Sequence, residues 1–178
     1  MTTKKTVYLR GKKKNMYLPP IILLFSLFFI HYGTFAQNAD FSGTWKLNES
    51  KSNLGEGGFR GGSSSLTIHQ EGNNLTTERA FVNRNGEEMK NTEKFTLDGK
   101  KCENTTRNQT RTTTVTWSED GKMLTFSSVM VFERQGETME IKSTEKWGLS
   151  DGGKSLTIDS TSQTPRGERK ATLVYDKQ

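Results

Sequence analysis

The feature that most constrains this chain is the regular return of turn residues. From residue 37 onward, short runs rich in Thr, Val, Ile and aromatics are separated by Gly72-Asn73, Asn85-Gly86, Asp98-Gly99, Asp120-Gly121, Gly136, Asp151-Gly152 and Pro165-Arg166-Gly167. Asn-Gly and Asp-Gly accept the positive φ angles of tight hairpins. The spacing predicts ten strands, at 41–47, 64–70, 75–82, 88–97, 102–107, 111–117, 123–133, 138–149, 155–163 and 170–176. No segment carries an apolar stripe of helical period. Many short strands joined by tight turns predict an all-β fold, an up-and-down antiparallel barrel of 8–10 strands.

The first 36 residues differ in kind. They hold Lys4, Lys5, Arg10, Lys12, Lys13 and Lys14 with no acid, then the apolar run 21–30, then Thr34 and Ala36. A basic region, a short apolar core and small residues two apart predict a helical signal peptide cleaved near Ala36. The apolar run is too short to span a bilayer comfortably. The expected organisation is a signal peptide over 1–36 and one barrel domain over 37–178, exported to the periplasm or the cell exterior. The whole chain has net charge +6, from 26 basic and 20 acidic residues. The six leader cations account for all of it. The basic balance is therefore no argument for nucleic acid.

The remaining chain is poor in large aliphatics, which raises the question of disorder. Its zero net charge argues against that, because disordered chains of low hydrophobicity usually carry excess charge. Cys102 is the one cysteine, so neither an intrachain disulfide nor a cysteine-rich metal site can form. It reads as a small buried hydrophobe.

In a meander every second turn lies at one end. Turns 71–74, 98–101, 118–122 and 150–154 share an end and are flanked by Leu66, Ile68, Leu75, Phe95, Val115, Leu124, Phe126, Leu156 and Ile158. Trp45, Trp117 and Trp147 belong to that end as its structural floor. The opposite turns are longer or more charged, with Arg60, Arg84, Arg107, Arg111, Arg134, Arg166 and Arg169 in or beside them. Arginine's planar fork suits carboxylates and phosphates, although seven glutamates share that rim.

Strand alternation then assigns the interior. Inward positions include Thr77, Arg79 and Phe81; Asn91 and Glu93; Arg111 and Thr113; Ser128, Met130 and Phe132; Met139, Ile141, Ser143 and Glu145; Ser160 and Ser162. The outward faces are wet, with Lys90, Lys94, Glu140, Lys142 and Lys146, unlike the apolar band of an outer-membrane barrel. Buried charges need partners. Arg79, Glu93, Arg111 and Glu145 are candidates to orient the polar part of a ligand, and Phe81, Met130, Phe132 and Met139 to contact its apolar part.

Gly43-Thr44-Trp45 opens the first strand within the segment DFSGTWKLN at 40–48. It resembles the Gly-x-Trp signature that opens lipocalins and related calycin barrels, including secreted bacterial domains of lipocalin-like type. The resemblance implies that the Trp packs across a closed floor and that a small molecule binds in the lumen. It covers about twenty residues and the meander pattern. No second lipocalin motif and no C-terminal helix accompany it, and ten strands exceed the lipocalin eight.

Other chemistry is thinly supported. His69 is the single histidine after the leader, and alternation points it outward, which disfavours haem ligation and Ser-His catalysis. No phosphate loop, zinc pattern or calcium loop is present, so no cofactor and no metal are expected. The expected function is non-catalytic binding of a small amphipathic or anionic molecule, with no nucleic-acid partner, no membrane span after the leader and an open question of oligomeric state. One alternative is an envelope module with a filled barrel whose loops bind protein or glycan. Another is a small barrel enzyme using Glu93 and Glu145 as a carboxylate pair.

Overall fold

A computed structural model describes residues 3, 37–55, 63–83, 85–106, 109–134, 136–165 and 167–178, with the side chains of Thr106 and Arg134 excepted. Apart from Thr3, the expected signal peptide lies outside these residues, as do Arg60, Arg84, Arg107 and Arg166 of the expected rim.

The described chain holds ten strands: β1 (Gly43–Leu47), β2 (Ser65–Glu71), β3 (Asn74–Val82), β4 (Glu88–Thr96), β5 (Lys101–Thr106), β6 (Gln109–Trp117), β7 (Met123–Arg134), β8 (Glu137–Ser150), β9 (Ser155–Thr164) and β10 (Gly167–Lys177). They form one antiparallel sheet in the order β4-β3-β2-β1-β10-β9-β8-β7-β6-β5. Chain neighbours pair throughout except β4 and β5. First and last strands join, with Leu47 opposite Tyr175. β4 and β5 are the two ends of the sheet. The result is the antiparallel up-and-down meander that the turn spacing predicts, nearly closed and ten-stranded.

The hairpins form for the reason given by their residues. In the β8–β9 turn, Asp151 and Gly152 both have positive φ, at 54° and 65°. The Gly153 amide donates to Ser150 O at 2.9 Å. With Gly153 also at φ 84°, three successive left-handed residues turn the chain back within the four-residue loop between Ser150 and Ser155.

The seam between β4 and β5 is crossed by side chains. Asn104 Nδ2 donates to Lys94 O at 2.9 Å, and Asn104 Oδ1 accepts the Lys94 amide at 2.8 Å. Two residues on, Cys102 Sγ accepts the Thr96 amide at 3.2 Å. Cys102 is half-buried at this seam rather than buried in the core, because its sulfur stands in for a missing ladder partner.

The floor end is packed. Trp45, Trp147, Phe41, Leu66, Leu75, Leu124, Leu156 and Ile158 are fully buried. Phe41 lies 6.0 Å from Trp117 and 6.3 Å from Trp147 between ring centroids, and Phe126 lies 4.3 Å from Trp147. Trp117 is half-buried against this cluster. The sequence pattern places Phe41 in β1, but the strand starts at Gly43. Residues 39–41 instead strap the floor, held by the Gln70 side chain, which accepts the Phe41 amide at 3.1 Å and donates to Ala39 O at 3.0 Å. Trp45 Nε1 donates to Phe41 O at 3.0 Å. The glycine of Gly-x-Trp is required here. Gly43 has φ 139°, and a Cβ would come within 2.8 Å of Lys177 Cε, the side chain whose ammonium lies 5.1 Å from the Trp45 ring.

Candidate functional site

Above the floor the interior turns polar, and the ladder registers arrange it in rungs. Nearest the floor, Glu145 on β8 stands between Ser160 on β9 and Phe126 on β7. The next rung runs Ser162, Ser143, Ser128, Thr113 across β9 to β6. The one above runs Ile141, Met130, Arg111. Last come Met139 and Phe132, facing one another. On the far wall Arg79 of β3 stands beside Asn91 of β4, and Thr77 beside Glu93.

Barrel curvature brings β3 against β8. Arg79 Nη2 donates to Glu145 Oε2 at 2.7 Å, with side chains 18% and 23% exposed. The same oxygen accepts Trp147 Nε1 at 2.9 Å, and the guanidinium lies 5.5 Å from the Trp147 ring centroid. Burial works against both charges, and in each case the partners outweigh it. Glu145 is held below the usual carboxylate range by the charge of Arg79 and by bonds from Trp147 and Arg79. Arg79 is held above its ordinary value, chiefly by the charge of Glu145. A second pair is looser: Arg111 Nη1 approaches Glu93 Oε1 at 3.5 Å, with Glu93 only 6% exposed and Arg111 41%. Tyr175, fully buried, shares a 3.0 Å hydrogen bond with Ser63. Burial pushes its phenol above the ordinary value, against the Ser63 bond and the Arg79 charge.

These groups border a cavity of about 890 Å³ that opens at the end opposite the floor. That volume lies within the range of small-molecule sites. Arg79, Glu93, Arg111, Glu145, Phe81 and Met130 all line it. Phe132 and Met139 do not: they are half-buried, one rung further toward the mouth. Ser143, Ser160 and Ser162 line it too, together with Asn91 and, at the mouth, Arg169 and Lys170. Sequence alternation marks the serines as inward, but nothing in one sequence marks an inward serine as part of a site.

The remaining wall comes from the first loop. After β1 the chain rejoins β10 at Asn53, whose amide and carbonyl both bond Thr172 at 2.8 Å. This carries Asn53, Leu54 and Gly55 into the cavity wall. Gly55 is needed for it: φ is 68°, and a Cβ would strike the Lys170 carbonyl.

Among the described residues, no group of three or more His, Cys, Asp or Glu could hold a metal, and no helix is long and apolar enough to cross a membrane. His69 is exposed on the outer face. The chain matches no family model and no curated protein sequence. Among solved structures, that of the zebrafish ileal bile acid-binding protein complexed with cholic acid is similar. The identity is 18%, the match covers 78% of this chain and 98% of that one, and the TM-score is 0.48. Strand order and ladder register define the barrel without it.

Proposed function

We propose that this protein is an exported, non-catalytic barrel that holds a small amphipathic molecule in its lumen. The observation that carries the reading is the open cavity of about 890 Å³, lined by hydroxyls and paired charges on its deeper side and by Phe81, Met130 and Ile141 nearer the mouth. A filled barrel acting only through its loops has no use for such a space. A carboxylate-pair enzyme fits poorly, because Glu145 is engaged by Arg79 at 2.7 Å and Trp147 at 2.9 Å and Glu93 is paired with Arg111 at 3.5 Å, so each carboxylate faces a cation rather than the other. Export is the role proposed for residues 1–36.

Native mass spectrometry of the protein purified from its own host tests both parts. A co-purifying small-molecule mass on the wild-type chain, lost in Ser143→Phe, which fills the lumen, is the expected result. The mass of the protein itself should correspond to cleavage near Ala36. A wild-type chain that is always bare overturns the binding reading, and an intact leader overturns cleavage near Ala36.

A further inference from the structure

Ligand chemistry follows from which lining groups are already satisfied. The deep charges are. Arg79 is bonded to Glu145 at 2.7 Å, and Arg111, 41% exposed on the rung of Met130 and Ile141, is paired with the buried Glu93 at 3.5 Å, so each cation has its own anion. At the mouth Lys170 pairs with Glu168 at 2.7 Å. Arg169 is the lining cation with no carboxylate partner among the described residues, and it is exposed.

The deep hydroxyls are not satisfied. In the serine rung, Thr113 and Ser128 bond one another at 2.8 Å. Their neighbours Ser143 and Ser162, directly opposite one another on β8 and β9, line the cavity with no side-chain hydrogen bond among the described residues. Ser160, one position deeper and only 7% exposed, is in the same state. Three inward serines on adjacent strands therefore offer donors and acceptors to whatever fills the space. Facing an open cavity, such hydroxyls are left for solvent or a ligand to satisfy. Immediately toward the mouth the wall turns apolar at Met130 and Ile141, with Phe81 across the lumen.

We propose that the ligand enters head first, and that its head is uncharged and hydroxyl-bearing. Its hydroxyls contact Ser143, Ser160 and Ser162, and its hydrocarbon part lies against Met130, Ile141 and Phe81. A charged head is excluded from the depth because it would have to break a pair already made, leaving a buried charge alone. Any anion the ligand carries stays at the mouth, beside Arg169. This rests on the reading of the cavity as a binding site.

The test uses three probes with one acyl chain: 1-monodecanoylglycerol (neutral, two hydroxyls), methyl decanoate (neutral, none) and decanoate (anionic). Binding to the full chain is followed by calorimetry. Monodecanoylglycerol is expected to bind about tenfold more tightly than either of the others, the worth of one or two well-made hydrogen bonds. Ser143→Ala with Ser162→Ala should erase that preference while leaving decanoate unchanged. Arg169→Ala should weaken decanoate alone. Because the serine hydroxyls have no side-chain partners among the described residues, the double variant keeps its melting curve. If decanoate binds best and is insensitive to Arg169→Ala, the charged head goes deep: the inference fails while the binding reading stands. Equal affinity for the two neutral probes also overturns the inference. If none of the three binds, the cavity reading falls, and the inference with it.

Discussion

Arg79 and Glu145 form the contact on which the polar half of the barrel depends, and their titration makes it measurable. Glu145 is held below its ordinary value near 4.5. The folded chain therefore binds fewer protons than the unfolded chain as pH falls through that region. Its contribution is complete above the unfolded value and is lost as pH falls through the folded one. Tyr175 acts at the other extreme. Its value lies above 10, so the folded chain keeps a proton that the unfolded chain releases, and stability falls as pH rises past 10. Urea midpoints measured from pH 7 to 3 should drop for the wild type and drop less steeply for Glu145→Gln. Equal slopes would show that the pair contributes nothing. Arg79→Met alone should cost about 3 kcal/mol at pH 7, since it strands the carboxylate. Alternation along single strands placed Arg79, Glu93, Arg111 and Glu145 on the inner face. That inner face made Glu93 and Glu145 the expected partners of Arg79, and Glu145 is one; that Glu93 goes to Arg111 instead was not legible, because it depends on how tightly the sheet curls to bring β3 against β8.

Among the elements, β5 is the weakly held one. It is an end strand of six residues, laddered to β6 alone and joined to β4 through the Asn104 amide and the Cys102 sulfur. Asn104→Ala removes both amide bonds and should cost about 1–2 kcal/mol. Its specific signature is local: hydrogen exchange at the Lys94 amide should accelerate while the amides of β8 and β9 keep their protection. Unchanged exchange at Lys94 would mean that the Asn104 bridge does not hold the seam. The strands and most of their turns were readable from Asn-Gly and Asp-Gly spacing, since a tight turn is a local event. The seam was not, because Asn104 and Cys102 look like ordinary alternating strand residues until the sheet has closed and left two edges facing each other. The strap at residues 39–41 escaped for a similar reason. Its anchor, Gln70, is 29 residues away from Phe41 along the chain.

For the molecule as a whole, stability and binding are divided along the barrel axis. The floor buries Phe41, Trp45 and Trp147 completely. The hydroxyl rung on β8 and β9 buries little apolar surface and leaves its hydroxyls without partners among the described residues. Truncations at the two ends should therefore behave differently. Phe41→Ala removes an aromatic plug touching two tryptophans and should cost about 3–5 kcal/mol. Ser143→Ala and Ser162→Ala delete hydroxyls that bond nothing among the described residues, and each should change stability by no more than about 0.5 kcal/mol. Ser128→Ala is the control within the same rung. It breaks the 2.8 Å bond to Thr113 and strands a hydroxyl on a residue 1% exposed, so it should cost about 1–2 kcal/mol. Denaturant unfolding of the four variants decides the matter. If Ser143→Ala and Ser162→Ala cost as much as Ser128→Ala, their hydroxyls are part of the fold's own bonding. If they cost nothing, the chain maintains an inward polar wall that its stability does not require, as a wall kept for a ligand would be.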